Sequence, residues 1–284
     1  MMDCTSDPQF EKWSQTEKWH YFLPPSRPSQ RHLEFYRTHI VKLPAPRRVA
    51  ILGSTPELRD LCVEVDRTRV DVIEINKIFH DQLDELRIYP KSAETTHIGN
   101  WLDVLPELRD QFDVILSDLT LGNIGYSDRS RYFCGIHHAL RPGGLFIDKV
   151  LTFGRMPLKN LEDLASKYSS APFNIATISD FANDFYFTSE AILGEVIDVA
   201  DIRAMLKSHF SGISPHSSPR LLKLVEATSD LLPDVGTWSY GRKWDLKDHE
   251  SALQLELVAH SWETPPSVFA DRLFIAAFRR MDSE

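Results

Sequence analysis

The sequence predicts an α/β protein: a doubly wound, mostly parallel seven-stranded sheet, with an antiparallel strand near the C-terminus and a helical insertion. Three observations predict it. Between Arg48 and Leu151, short aliphatic runs alternate with stretches of helical periodicity, the pattern of βαβ units and a parallel sheet. Between 155 and 235 the alternation breaks into consecutive helical stretches. The last two strand-like runs share a short connection, which suits an antiparallel pair at a sheet edge. Right-handed crossovers then put helices on both faces of the sheet.

The elements follow in order. In residues 1–46, an aromatic extension with Trp13, Trp19, Tyr21 and Phe22, PPSRPSQ (24–30) signals a turn and Ser29 is placed to cap a helix over 30–40. The core, 47–154, opens with RVAILG (48–53), an apolar run ending in glycine. PELRDLCVEV (56–65) reads as a helix with Pro56 in its first turn. RVDVIEIN (69–76) is a β-branched strand, and KIFHDQLDELRI (77–88) has helical spacing. TTHIG (95–99) and FDVILSDL (112–119) are strands, RSRYFCGIHHAL (129–140) a helix, RPGG (141–144) a turn and LFIDKVL (145–151) a strand. The insertion, 155–235, is expected to be all-helical. The remainder of the core, 236–284, holds a helix in KWDLKDHESALQ and strands in LELVAHSW (255–262) and RLFIAAFRR (272–280).

Composition removes several classes of function. With 42% apolar and 26% charged residues, the chain has the mix of a folded protein. Lys plus Arg is 32 against 41 for Asp plus Glu, a net charge of −9, which argues against binding along a nucleic-acid backbone. Cys4, Cys62 and Cys134 are far apart and odd in number, so a disulfide framework is not expected and a reducing, cytoplasmic setting is. No stretch reaches the length of a membrane span, and MMDCTSDPQFEKW has no basic region followed by an apolar stretch. None of the 11 histidines has the spacing of H-E-x-x-H, so no metal site is expected. His137 and His138 diverge by about 100° on their helix and do not chelate one ion together. The sequences G-x-S-x-G, G-x-x-x-x-G-K-[ST] and G-x-G-x-x-G are all absent.

In an open parallel sheet, ligands bind beyond the carboxyl ends of the strands, where the strand order switches. The loops there carry Gly53-Ser54-Thr55, Glu74-Ile75-Asn76, Gly99-Asn100-Trp101-Leu102-Asp103 and Ser117-Asp118-Leu119-Thr120-Leu121-Gly122-Asn123. Glu74 follows Gly53 by 21 residues, the spacing at which a carboxylate meets ribose hydroxyls. A carboxylate suits that task because it accepts two hydrogen bonds and can bridge a cis-diol. A first loop with one glycine disfavours a pyrophosphate and leaves a nucleoside. Eight of the 12 glycines lie in 53–154, so the few there are gather around these loops.

The ordered set V-A-I-L-G, V-I-E-I-N, G-N-W-L-D, F-D-V-I-L-S-D and L-R-P-G-G-L-F resembles the class I S-adenosylmethionine-dependent methyltransferases, whose fold is Rossmann-like. The loop LGSTPEL is similar to that of a bacterial subgroup reading L-G-x-T-P-E-L. The resemblance implies S-adenosyl-L-methionine as cofactor, with Gly53, Ser54 and Thr55 beside its methionine part. Glu74 would hold the ribose, Ile75 would flank the adenine, Trp101 would flank the base or donate its backbone N–H to it, and Asn76 belongs to the same loop as Glu74. Asn100 stands where the family usually has an aspartate for the adenine amino group. Asp118, Leu119 and Thr120 would face the sulfur and the acceptor, with Asp118 the candidate base.

Trp19, Tyr21, Arg27 and Tyr36 either pack an N-terminal helix against the sheet or close the pocket, with Arg27 on the methionine carboxylate. Tyr126, Asp128, Trp238, Tyr240 and Arg242 are candidate acceptor contacts. The expected reaction is methyl transfer to an O, N or C atom of a small molecule, in line with the methyl–sulfur bond. The expected partner is a small-molecule acceptor, with no nucleic acid and no membrane, and the aromatic helical insertion is a lid. Two other readings use the same fold. One is an aminopropyltransferase of the spermidine synthase type, which expects an acidic pair and a proline near Asp118. The other is a degenerate binding module, motivated by the altered first loop and Asn100.

Overall fold

The middle of the sheet is β1 (Arg47–Leu52), whose Val49, Ala50, Ile51 and Leu52 are all buried. A continuous apolar run of this kind is what a parallel strand covered on both faces requires. The structure is a computed structural model, and it describes residues 19–90, 93–152, 160–193, 196–211, 218–232, 237–239, 246–267 and 269–281. Ahead of β1, α1 (Gln30–Ile40) is capped by Ser29 as expected: its hydroxyl accepts from the His32 N–H (3.2 Å), and His32 Nδ1 accepts in return from the Ser29 N–H (3.3 Å).

After β1 come α2 (Pro56–Glu64), β2 (Thr68–Glu74), α3 (Lys77–Asp84), β3 (Glu94–Ile98), α4 (Trp101–Glu107) and β4 (Phe112–Asp118). Two short 3-10 turns, Thr120–Asn123 and Tyr126–Asp128, lead to α5 (Arg129–Ala139) and β5 (Leu140–Leu151). The insertion holds α6 (Leu161–Tyr168), α7 (Ile175–Leu193), β6 (Val196–Asp198), α8 (Val199–Phe210) and α9 (Pro219–Leu231). The chain returns through β7 (Thr237–Ser239), α10 (Leu246–Leu253), β8 (Glu256–Trp262) and β9 (Leu273–Arg279).

The sheet order is β3-β2-β1-β4-β5-β9-β8. Pairs among β1 to β5 are parallel, and β9 runs antiparallel to both β5 and β8. The expected seven-stranded, mostly parallel sheet is therefore present. Alternate residues feed two cores. Ala50, Leu52 and Ile73 pack with Leu105, Tyr132, Phe133 and Leu253 from α4, α5 and α10. Val49, Ile51 and Val72 pack with Tyr36, Ile40, Leu58 and Leu61 from α1 and α2.

Two expectations need correction. RPGG is not a separate turn but part of β5, beside a register irregularity between Phe112 and Val114 of β4. Gly143 takes φ +76, and a Cβ on Gly144 would lie 2.9 Å from the Arg141 carbonyl, so the glycines let the strand bend without ending it. The insertion is not wholly helical either. β6 pairs with β7 in an antiparallel ribbon, which joins Thr237–Ser239 to the insertion, and β7 lies beside the Thr120–Asn123 turn. The helices share a separate core of Leu164, Phe181, Phe185, Leu206, Phe210 and Leu224.

Candidate functional site

The chain runs outward from β1 to β3, then returns to pair β4 with the other side of β1. That reversal opens a crevice at the carboxyl ends of β1 and β4. The loops after β1, β2 and β3 form one side of it.

Gly53 turns the chain out of β1 with φ +89, a left-handed conformation that side chains disfavour, while its N–H donates to the Ile73 carbonyl (2.9 Å). Ser54 is buried, with its Oγ 3.1 Å from His80 Nδ1. Thr55 occupies the N-cap position of α2 without a capping bond, and Pro56 follows as the first helical residue. Glu74 ends β2 and is buried. Its carboxylate accepts from the Asn76 N–H (2.9 Å), and the Ile75 N–H and the Ser54 hydroxyl are nearby donors. Burial raises its pKa, and these three donors oppose the rise. Ile75 is half-buried at the rim.

Asn76, expected to face the cofactor, is an N-cap: its Oδ1 accepts from the Phe79 N–H (3.0 Å) and starts α3. Asn100 likewise caps α4, its Oδ1 accepting from the Leu102 N–H (2.9 Å). Trp101 bridges the loops. Its indole N–H donates to the Ile73 carbonyl (2.7 Å), and its ring would lie 3.9 Å from a Cβ placed on Gly53.

The other side, at the ends of β4 and β5, is held by long-range contacts. Asp118 and Lys149 face each other across paired strands, with Oδ1 2.5 Å from Nζ and both side chains buried. Lys149 also donates to the carbonyls of Pro25 (2.9 Å) and Ser26 (3.5 Å), which straps the segment before α1 over the sheet. Burial pushes the Asp118 carboxyl up to about 6, against the pull of Lys149, and burial lowers Lys149. Asp118 is therefore not the open base expected from its place after β4.

Leu119 takes φ 61 and donates its N–H to the Lys149 carbonyl (2.9 Å), and Thr120 is buried at the start of the following turn. Tyr36 is fully buried and donates to the Ser117 carbonyl (2.6 Å), which ties α1 to the same strand end. Arg27, expected on a ligand carboxylate, stands 3.6 Å from Glu57 in the first turn of α2. Among the candidate acceptor contacts, Tyr126 is exposed with the Arg129 guanidinium over its ring, and Asp128 donates its N–H to Gly125. Trp238 lies on β7, next to the Thr120–Asn123 turn. Tyr240 and Arg242 lie outside the described residues.

Sequence reasoning missed Lys149, His80 and Glu57. Lys149 had a signal, an Asp-Lys pair inside the aliphatic run LFIDKVL. His80 and Glu57 sit on ordinary amphipathic helices and had none. Among the described residues, no group of three or more His, Cys, Asp or Glu is placed to hold a metal ion. No described helix is long and apolar enough to cross a membrane.

No family model matches the chain, and no curated protein matches it in sequence. Similarity to solved structures is extensive. A provisional Zn-dependent alcohol dehydrogenase from Rhodobacter sphaeroides is 18% identical, with a TM-score of 0.56 over 94% of this chain and 98% of that one. The PH0226 protein from Pyrococcus horikoshii OT3 is 12% identical, with a TM-score of 0.51 over 93% of this chain and 98% of that one. A SAM-dependent methyltransferase from Methanosarcina mazei is 11% identical, with a TM-score of 0.48 over 87% of this chain and 98% of that one. At such identities the likeness is one of fold: an α/β Rossmann-like sheet of this topology, flanked by helices.

Proposed function

We propose that the chain binds S-adenosylmethionine across the carboxyl ends of β1, β2 and β4 and transfers its methyl group to a small-molecule acceptor. The observation that carries this reading is Glu74, a buried carboxylate on β2 beside the left-handed Gly53 turn, at the switch in strand order. The sheet order also meets the expectation set by the resemblance in sequence.

The residues suit the cofactor. A loop with one glycine needs to cradle no phosphate, and this nucleoside carries none. A carboxylate has about four acceptor positions. The Asn76 N–H uses one of those on Glu74, which leaves others for the sugar hydroxyls. Glu57 Oε2 is buried without a hydrogen-bond partner and suits the ammonium of the amino-acid end. Arg27 beside it suits the carboxylate. Ile75, Asn100 and Trp101 border the base, and Asp118, Leu119 and Thr120 lie on the sulfonium side.

When bound, the cofactor supplies a methyl group already activated on a positively charged sulfur. The chain's own residues orient the partners and exclude water. The strap held by Lys149 and the β6–β7 ribbon flank the β4 end for that purpose. Asp118, held by Lys149, acts as a fixed negative charge rather than a free base. Tyr126, Asp128 and Trp238 border the acceptor side.

One observation favours a second reading, a non-catalytic binding module: the Trp101 ring covers the Gly53 turn. Incubation with S-adenosylmethionine and a small-molecule extract, followed by mass spectrometry, separates the two. Methyl transfer predicts a methyl-sized gain on a metabolite and release of S-adenosylhomocysteine. Absence of both, with cofactor still bound, favours the binding module.

A further inference from the structure

The strap before α1, residues 19–28, touches three parts of the molecule at once. It is folded on itself: the Phe22 N–H donates to the Trp19 carbonyl (3.2 Å), and the Ser26 N–H donates to the Leu23 carbonyl (2.9 Å). Lys149 in the sheet holds its Pro25 and Ser26 carbonyls. Its Arg27 stands 3.6 Å from Glu57 on α2. Its other contacts are with the insertion. The half-buried Tyr21 packs against the core shared by Phe181, Phe185 and Phe210. The Ser26 hydroxyl donates to Asn183 Oδ1 on α7 (3.5 Å), and the Asn183 amide donates to the Ser179 carbonyl one turn back (2.8 Å).

The contact with α2 is the loose one. A charge-assisted hydrogen bond spans about 2.7–2.9 Å, less than the Arg27–Glu57 separation. Glu57 Oε2 is also buried without a hydrogen-bond partner, a cost that an incoming cation removes. An amino-acid zwitterion carries the matching charges, a carboxylate for Arg27 and an ammonium for Glu57. Such a group joins the strap to α2 through two charged contacts in place of one long one. The nucleoside end of the cofactor is bordered instead by Glu74 and Trp101, on β2 and α4.

Coupling between two sites needs a physical link that both can bias. The strap is such a link, with Arg27 at the crevice and Tyr21 in the insertion only six residues apart. We infer that the helical insertion responds to the amino-acid end of the cofactor and not to its nucleoside. That end bridges Arg27 and Glu57, and the strap carries the restraint through Tyr21 and Ser26 to α7. The inference rests on the cofactor reading above. It is reciprocal by necessity: whatever factor the amino-acid end contributes to the insertion, the insertion contributes to the affinity for that end.

Hydrogen exchange of the full chain, read by mass spectrometry, tests it with two probes. One is S-adenosylhomocysteine. The other is methylthioadenosine, which keeps the nucleoside and a thioether but lacks the amino-acid end. Both are expected to slow exchange in the loops after β1 and β2. Only S-adenosylhomocysteine is expected to slow α7 and α9, by about fivefold or more, the lower range of coupling between sites. Tyr21→Ala cuts the link on the insertion side. It is expected to keep the slowing in the loops and lose it in α7 and α9. It should also weaken S-adenosylhomocysteine by that same factor and leave methylthioadenosine affinity unchanged. Arg27→Ala is expected to make S-adenosylhomocysteine behave as methylthioadenosine does. Three results overturn the inference while the cofactor reading stands: equal slowing of α7 and α9 by both probes, slowing by neither while S-adenosylhomocysteine binds, or slowing that survives Tyr21→Ala. If methylthioadenosine does not bind, or Tyr21→Ala does not fold, S-adenosylhomocysteine on Arg27→Ala decides, and retained slowing of α7 overturns the inference. No binding of S-adenosylhomocysteine by wild type overturns the cofactor reading, and this inference with it.

Discussion

The two sides of the crevice are built by different means. On the β1–β3 side, side chains satisfy nearby backbone. Glu74 holds Asn76 two residues on, and Asn76 and Asn100 cap the helices that follow them. On the β4–β5 side, the links span the chain. Lys149 reaches Pro25, Tyr36 reaches Ser117 and His249 on α10 meets Asp148 inside the sheet (3.1 Å). The first side is shaped by its own loops, the second by the docking of α1, α10 and the strap before α1. Substitution of Glu74 on the first side should therefore act mainly on ligand binding, its turn and caps should carry small local stability terms, and substitutions on the second side should cost the most stability.

The largest expected effect tests the second side. Asp118→Asn or Lys149→Met alone leaves a buried polar or charged group without its partner and is expected to cost about 3–5 kcal/mol in denaturant unfolding. The double variant is expected to recover most of that loss, because no buried charge stays unpaired. Additive losses would show that the two residues act separately.

The next prediction concerns pH. Burial, with Lys149 and Arg31 nearby, lowers His32 from 6.5 to about 3, and its Nε2 lies 3.0 Å from Glu263. Unfolded chains take up that proton below about pH 6.5 while the folded chain resists until about pH 3, so stability falls as pH drops through this window. Asp118 works in the opposite sense, since its raised carboxyl takes its proton in the folded state first, near pH 6. His32→Gln is expected to flatten the acid-side loss, read as unfolding free energy against pH beside wild type. Parallel curves for the two proteins would contradict the assignment.

Smaller effects belong to the first side. Gly53→Ala meets no atom closer than 3.9 Å, so its cost is the left-handed backbone alone, about 1–2 kcal/mol. Asn76→Ala removes a cap and is expected to cost about 1 kcal/mol, with cofactor affinity unchanged. A large loss of affinity in Asn76→Ala would return that residue to the ligand.

The same contrast explains what could be read in advance. The succession of strands and helices, the Ser29 cap and the spacing of Gly53 and Glu74 depend on short-range pattern, and the sequence carries them openly. The strap over Lys149 depends on residues 124 apart, which no local pattern links. RPGG misled because glycine marks a turn and a strand irregularity alike. The β6–β7 ribbon escaped because three-residue strands show no periodicity. The role of Asp118 changed for the same reason as the strap: its partner lies on the next strand, far along the chain.

The central claim is that Glu74 anchors a nucleoside cofactor. Calorimetry with S-adenosylhomocysteine on wild type and Glu74→Ala tests it most directly. The account predicts one binding site per chain in wild type and affinity at least about tenfold weaker in the variant, the loss of a charged hydrogen-bond acceptor. No binding by wild type, or equal binding by both proteins, would contradict it.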